Sequence, residues 1–165
     1  MAKTIDELDL DPVMKYWAEE LQRTFPDVVF TSGRRNLEQQ ARAMAVNHIE
    51  APESFLTRTY THGKVFLAAV VDLPTEQQKR LDSVAGAIQS VLQENPDLLV
   101  WAHRDGTCVD LLPMLNAEKQ PTKRGRQVIK WIRACPATVT FLEKEGGLDR
   151  WHWGCHKAKL DTTTI

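Results

Sequence analysis

His103-Arg104-Asp105-Gly106-Thr107-Cys108-Val109-Asp110-Leu111-Leu112 puts an imidazole and a carboxylate seven positions apart, with a glycine between them. Leu98 to Ala102 and Thr107 to Leu112 read as two strand-like arms around Arg104-Asp105-Gly106. If the arms pair across that turn, His103 and Asp110 point to one side of a small sheet and meet at one ion. Nitrogen and oxygen donors of this kind suit Zn²⁺. A third ligand is offered near the end of the chain by His152, with Trp151 and Trp153 on either side to shield the site and hold the ring. A catalytic zinc keeps three protein ligands and leaves its fourth position to water.

Outward from this stretch, the chain alternates helices with short strands. Asp11-Pro12 reads as an N-cap and first helical residue, opening a helix to about Thr24 with Val13, Met14, Trp17, Leu21 and Phe25 on one face. Val28 to Thr31 is a short buried strand, halted at Ser32-Gly33. Asn36 caps a second helix over Leu37 to about Val46. Ala51 to Ser54 begins another helical stretch, interrupted at Gly63. Pro74 opens a long helix through Asn95, with Leu81, Val84, Ala85, Ile88, Val91 and Leu92 as a core-facing stripe. Thr122 caps a helix to about Ala134. A short helix is expected over Val139 to Lys144, ended by Gly146-Gly147. Arg150 to Trp153 is a last strand, and Leu160 to Ile165 a frayed tail. The sum is an α+β fold, a small antiparallel sheet carrying the zinc site and flanked by helices, with a helical insertion around residues 51–95.

Composition narrows the function classes. A chain of 165 residues with 42% hydrophobic and 26% charged residues fits one domain, 1–165, with a real core. The net charge of −1 announces neither nucleic acid nor a membrane surface. The longest apolar run, Val65 to Val71, is far too short to cross a bilayer. Met1 to Glu7 is polar and acidic, unlike a secretory signal, so synthesis in a cytoplasm is the expectation. Three cysteines do not make a disulfide scaffold and favour a reducing compartment.

His103-x-x-Gly106-x-Cys108-Val109-Asp110 resembles the H-x-x-G-x-A-x-D signature of the zinc D-alanyl-D-alanine carboxypeptidase and L-alanoyl-D-glutamate endopeptidase family, which includes phage endolysins. Asp149-Arg150-Trp151-His152 is similar to that family's second signature, an acid three residues before a W-H histidine. Thr31-Ser32-Gly33-Arg34-Arg35, followed by Gln39-Gln40, resembles its upstream T-S-G-x-R motif. The three stretches fall in the family's order across residues 31–153. The resemblance implies a peptidase cutting peptidoglycan stem peptides or cross-links, with His103, Asp110 and His152 on Zn²⁺, Asp149 as general base and Arg35 binding a substrate carboxylate or carbonyl. It further implies a monomer without nucleic-acid partners, made in the host cytoplasm and acting on the wall after release, or mounted on a virion. A catalytically inactive relative, serving as a wall-binding or phage structural module, is the alternative.

This sequence departs from the pattern in places. Cys108 stands where the family has alanine, and reads as an inert buried thiol. Trp101 replaces a serine. Asp149 is shorter than the glutamate of many members, and Glu145 is a second candidate base. Other groups invite a functional reading and favour a plainer one. His62 and Asp72 form another histidine–acid pair, at the wrong spacing. His152, Cys155 and His156 match no closed structural zinc site. Lys119, Lys123, Arg124 and Arg126 read as a solvated helix start rather than an anion site.

Overall fold

In a computed structural model, residues 2–51, 55–98, 102–144 and 148–156 are described. Among them are seven α-helices and a four-stranded antiparallel sheet, the α+β architecture expected. The chain divides into two compact units, one of Met1–Arg34, Ala102–Glu143 and Asp149–Ile165, the other of Arg35–Trp101 and Lys144–Leu148.

The first unit contains the whole sheet. Helix α1 (Pro12–Thr24) starts where Asp11 accepts a hydrogen bond from the Val13 N–H, at 3.1 Å, and Pro12 supplies a preset φ. Strand β1 (Phe30–Ser32) is followed, far along the chain, by the one-turn helix α6 (Ala102–Asp105) and strand β2 (Cys108–Leu111). Helix α7 (Lys123–Ala134) is capped by the Thr122 hydroxyl, which accepts from the Gly125 N–H. Strands β3 (Thr138–Leu142) and β4 (Trp151–Cys155) complete the order β1-β2-β4-β3, every neighbouring pair antiparallel.

Side chains alternate across a strand, so the register divides the residues of β2 and β4 between two faces. Val109 pairs with Trp153 and Leu111 with Trp151, and all four join the core with Met14, Leu21, Phe30, Val128 and Ile132. Trp153 is fully buried, donates its indole N–H to the Thr138 hydroxyl at 2.8 Å and meets Trp131 edge to face. The other face receives Cys108, Asp110, His152 and Gly154. The tryptophans that the sequence placed as shields around His152 therefore point away from it, and anchor β4 from behind.

Helices fill the second unit: α2 (Leu37–Glu50), α3 (Phe55–Thr59), α4 (Gly63–Val71) and α5 (Leu81–Glu94). A reciprocal capping box between Asn36 and Gln39 starts α2. Met44, Phe55, Leu56, Phe66, Ile88 and Leu92 make its separate core. The helical stretch expected around residues 51–95 thus shares one compact unit with α2.

Several local expectations need correction. The helix expected from Pro74 begins at Leu81 instead, because residues 74–80 form turns and the Gln78 side chain donates to the Val71 and Leu73 carbonyls at the end of α4. The helix expected over Val139 to Lys144 is strand β3: Thr138, Val139 and Thr140 are β-branched, Phe141 is aromatic, and the edge of β4 lies open to them. The arm Leu98 to Ala102 is no strand where it is described. Leu98 closes a 3-10 turn on Asn95 and packs on the helical core, while Ala102 starts α6. Residues 52–54, the Gly146-Gly147 cap, Glu145, Trp101 and the tail from Leu160 lie outside the described residues.

Candidate metal centre

Two glycines shape the frame around the site. Gly106 adopts φ +73°, where a Cβ would stand 2.9 Å from the Asp11 nitrogen and the Asp9 oxygen, so the turn between α6 and β2 admits no side chain. Its carbonyl accepts from the Asp11 N–H, tying this turn to the start of α1. At Gly33 a Cβ would fall 2.2 Å from the Leu8 carbonyl oxygen. That close approach brings the Arg34 N–H onto Leu8, at 2.8 Å, and fixes the direction of the Gly33 carbonyl.

The Gly33 carbonyl oxygen lies 2.6 Å from His103 Nδ1. Nδ1–H is thereby the donor, and the lone pair of the neutral ring sits on Nε2. Nε2 lies 3.3 Å from Asp110 Oδ1, and the same oxygen is 3.0 Å from His152 Nδ1. The two imidazoles meet edge to face with centroids 5.1 Å apart. His103, Asp110 and His152 have side chains only 6%, 13% and 15% exposed, so water does little to screen them from one another. A proton on a ring nitrogen, or a metal ion between the three groups, would each satisfy this arrangement.

Strand pairing brings this about, not a local hairpin. Asp110 is the direct cross-strand partner of His152, while His103 reaches them from the single turn of α6. Between Phe30 and Ser32 the β1–β2 register slips, and the Thr31 hydroxyl donates to the Asp110 carbonyl. The upstream Thr31-Ser32-Gly33 stretch therefore supports Asp110 and His103 through backbone contacts.

The sequence takes Cys108 for an inert buried thiol, and the structure sets it beside the two histidines. The Cys108 sulfur and ring nitrogens of His103 and His152 all lie within 4.8 Å of one another, a group able to hold a metal ion. The signal was present, since a residue two positions before Asp110 on a strand shares its face.

The remaining predicted residues fall as follows. Asp149, 22% exposed, precedes β4 and has Lys119 Nζ 3.7 Å from its Oδ2. Arg35 belongs to the helical unit, where its guanidinium donates to Gln40 Oε1. His62 and Asp72 bracket the two ends of α4, a separation of about 15 Å at 1.5 Å per residue, too far to share an ion. His156 is exposed. Arg124 forks onto Asp27, holding that carboxyl below its ordinary range, and Arg126 donates to the Pro121 carbonyl, so both arginines are engaged within the fold. Among the described residues no helix is long and apolar enough to cross a membrane.

Comparison with protein-family models, with curated proteins and with solved structures finds no match.

Proposed function

We propose that this chain is a zinc peptidase that hydrolyses peptide bonds of bacterial peptidoglycan, with His103, Asp110 and His152 as ligands. The observation that carries the reading is the convergence of two imidazoles on Asp110 Oδ1, with one ring held by the Gly33 carbonyl. The substrate class rests on the resemblance of the three motifs alone. When bound, zinc would supply Lewis acidity toward a peptide carbonyl and lower the pKa of its water toward about 7.

The protein's own groups divide the remaining tasks. The Gly33 carbonyl orients the His103 donor and opposes its rotation. Asp149, partly open to solvent three residues before His152, is the proposed base. It takes a proton from the attacking water and returns it to the leaving amine. Arg35 is assigned to the substrate's carboxylate by the resemblance.

A second reading, an inactive relative that binds wall or serves a virion, draws support from the Cys108 sulfur beside the ring nitrogens. Mass spectrometry of purified sacculi after incubation with the zinc-supplemented protein separates the two. The peptidase reading predicts newly cleaved stem peptides, lost in Asp149→Asn. Intact muropeptides from a zinc-loaded, wall-binding protein would establish the alternative.

A further inference from the structure

We propose that Cys108 is a fourth protein donor of this centre, closing His103, Asp110 and His152 into a two-nitrogen, one-oxygen, one-sulfur site. The inference rests on the metal reading above and adds to it a ligand and a restriction on access.

The placement of the thiol argues against simple packing. Cys108 is fully buried, but is not a member of the apolar cluster that takes up Cys135 and Cys155. Its strand neighbours Val109 and Leu111 occupy the core face, so Cys108 shares the opposite face with Asp110. Directly across from it is Gly154, which brings no side chain to that face; even a Cβ there would stand 3.7 Å from the Cys108 Cβ.

Distances are compatible with coordination. Neighbouring donors around a tetrahedral zinc lie roughly 3.5 Å apart, given about 2.0–2.1 Å to nitrogen and about 2.3 Å to sulfur. The donor atoms of Cys108, His103 and His152 lie within 4.8 Å of one another and reach that spacing by movements of about an ångström, while Asp110 Oδ1 is 3.3 Å and 3.0 Å from the ring nitrogens. The sulfur binds as thiolate, its proton passing to solvent as the ion enters.

The consequence is a closed resting site. Four protein donors leave a tetrahedral ion no position for water, as in structural zinc centres. Chemistry at the ion then requires the sulfur to withdraw, which makes Cys108 a gate on the proposed activity. The ion is also softer in its preference, since thiolate favours zinc and cadmium over magnesium or calcium.

Cobalt(II) loading of the full chain tests this through absorption, independently of activity. The wild type is expected to bind one equivalent and show the intense near-ultraviolet sulfur-to-cobalt charge-transfer band. Cys108→Ala and Cys108→Ser, checked for native circular dichroism, are expected to bind cobalt without that band. Azide should then perturb the visible spectrum of both variants but not of the wild type. A cobalt-loaded wild type without the band overturns the fourth donor and leaves the three-ligand reading standing. A band that persists in both variants overturns it too, because the sulfur then comes from elsewhere. Absence of cobalt binding to the wild type overturns the metal reading itself.

Discussion

Replacing Gly33 by alanine tests how the histidine ligand is held. The new Cβ would lie 2.2 Å from the Leu8 oxygen and 2.6 Å from the Leu8 Cβ, so the backbone on one side must move. That movement strains or breaks the Arg34 N–H bond to Leu8, worth about 1 kcal/mol, and overpacking adds about 1–3 kcal/mol. A destabilisation of about 2–4 kcal/mol is expected in urea unfolding without metal. The same shift displaces the carbonyl that orients His103, and loss of such a partner lowers metal affinity about 10- to 100-fold. Competition titration with a chromophoric chelator measures this on the folded variant. Gly86→Ala is the internal contrast: nothing lies within 4 Å of its Cβ, and it sits inside α5. A Gly33→Ala protein with wild-type urea midpoint and wild-type zinc affinity would refute the reasoning.

Other predictions concern groups away from the site. Gly86→Ala should stabilise the protein by about 0.5–1 kcal/mol through helix propensity, visible as a raised urea midpoint; a lowered midpoint contradicts this. Burial, with Cys135 as the next cause, pushes the Cys155 thiol up to about 12, so the native protein should leave it unlabelled by iodoacetamide at pH 8. Peptide mapping checks this, and rapid native labelling would show the packing to be wrong. His48 is buried with Nδ1 unpartnered, and burial lowers its pKa from 6.5. The unfolded chain therefore takes up this proton first as pH falls, so stability is fully present above about pH 6.5 and is lost toward the lower folded pKa. Urea midpoints at pH 7.5 and 5.0 should differ less in His48→Leu than in the wild type, and an equal difference would remove His48 from the account.

Local signals carried most of the helices. Asp11-Pro12, Asn36 with Gln39, and Thr122 are caps whose side chains bond the backbone within three residues, so their effect is readable from sequence. The site was half legible by the same logic. His103, Asp110 and His152 are brought together as read, but by long-range strand pairing and a helical turn instead of a hairpin. Nothing local to Val139 says that β4 offers it an edge, and nothing local to Trp151 says which face of β4 is buried. The division into two cores is likewise a property of distant contacts. The face shared by Cys108 and Asp110 was available from strand period alone, but the thiol's nearness to two imidazoles required the register.

The central claim is that His103, Asp110 and His152 form one metal centre, and zinc content tests it most directly. Protein equilibrated with zinc, freed of excess by gel filtration and measured by elemental analysis should carry one ion per chain. The His103→Ala/His152→Ala double variant, folded by circular dichroism, should carry none. A zinc-free wild type, or a double variant that keeps a full equivalent, would contradict the account.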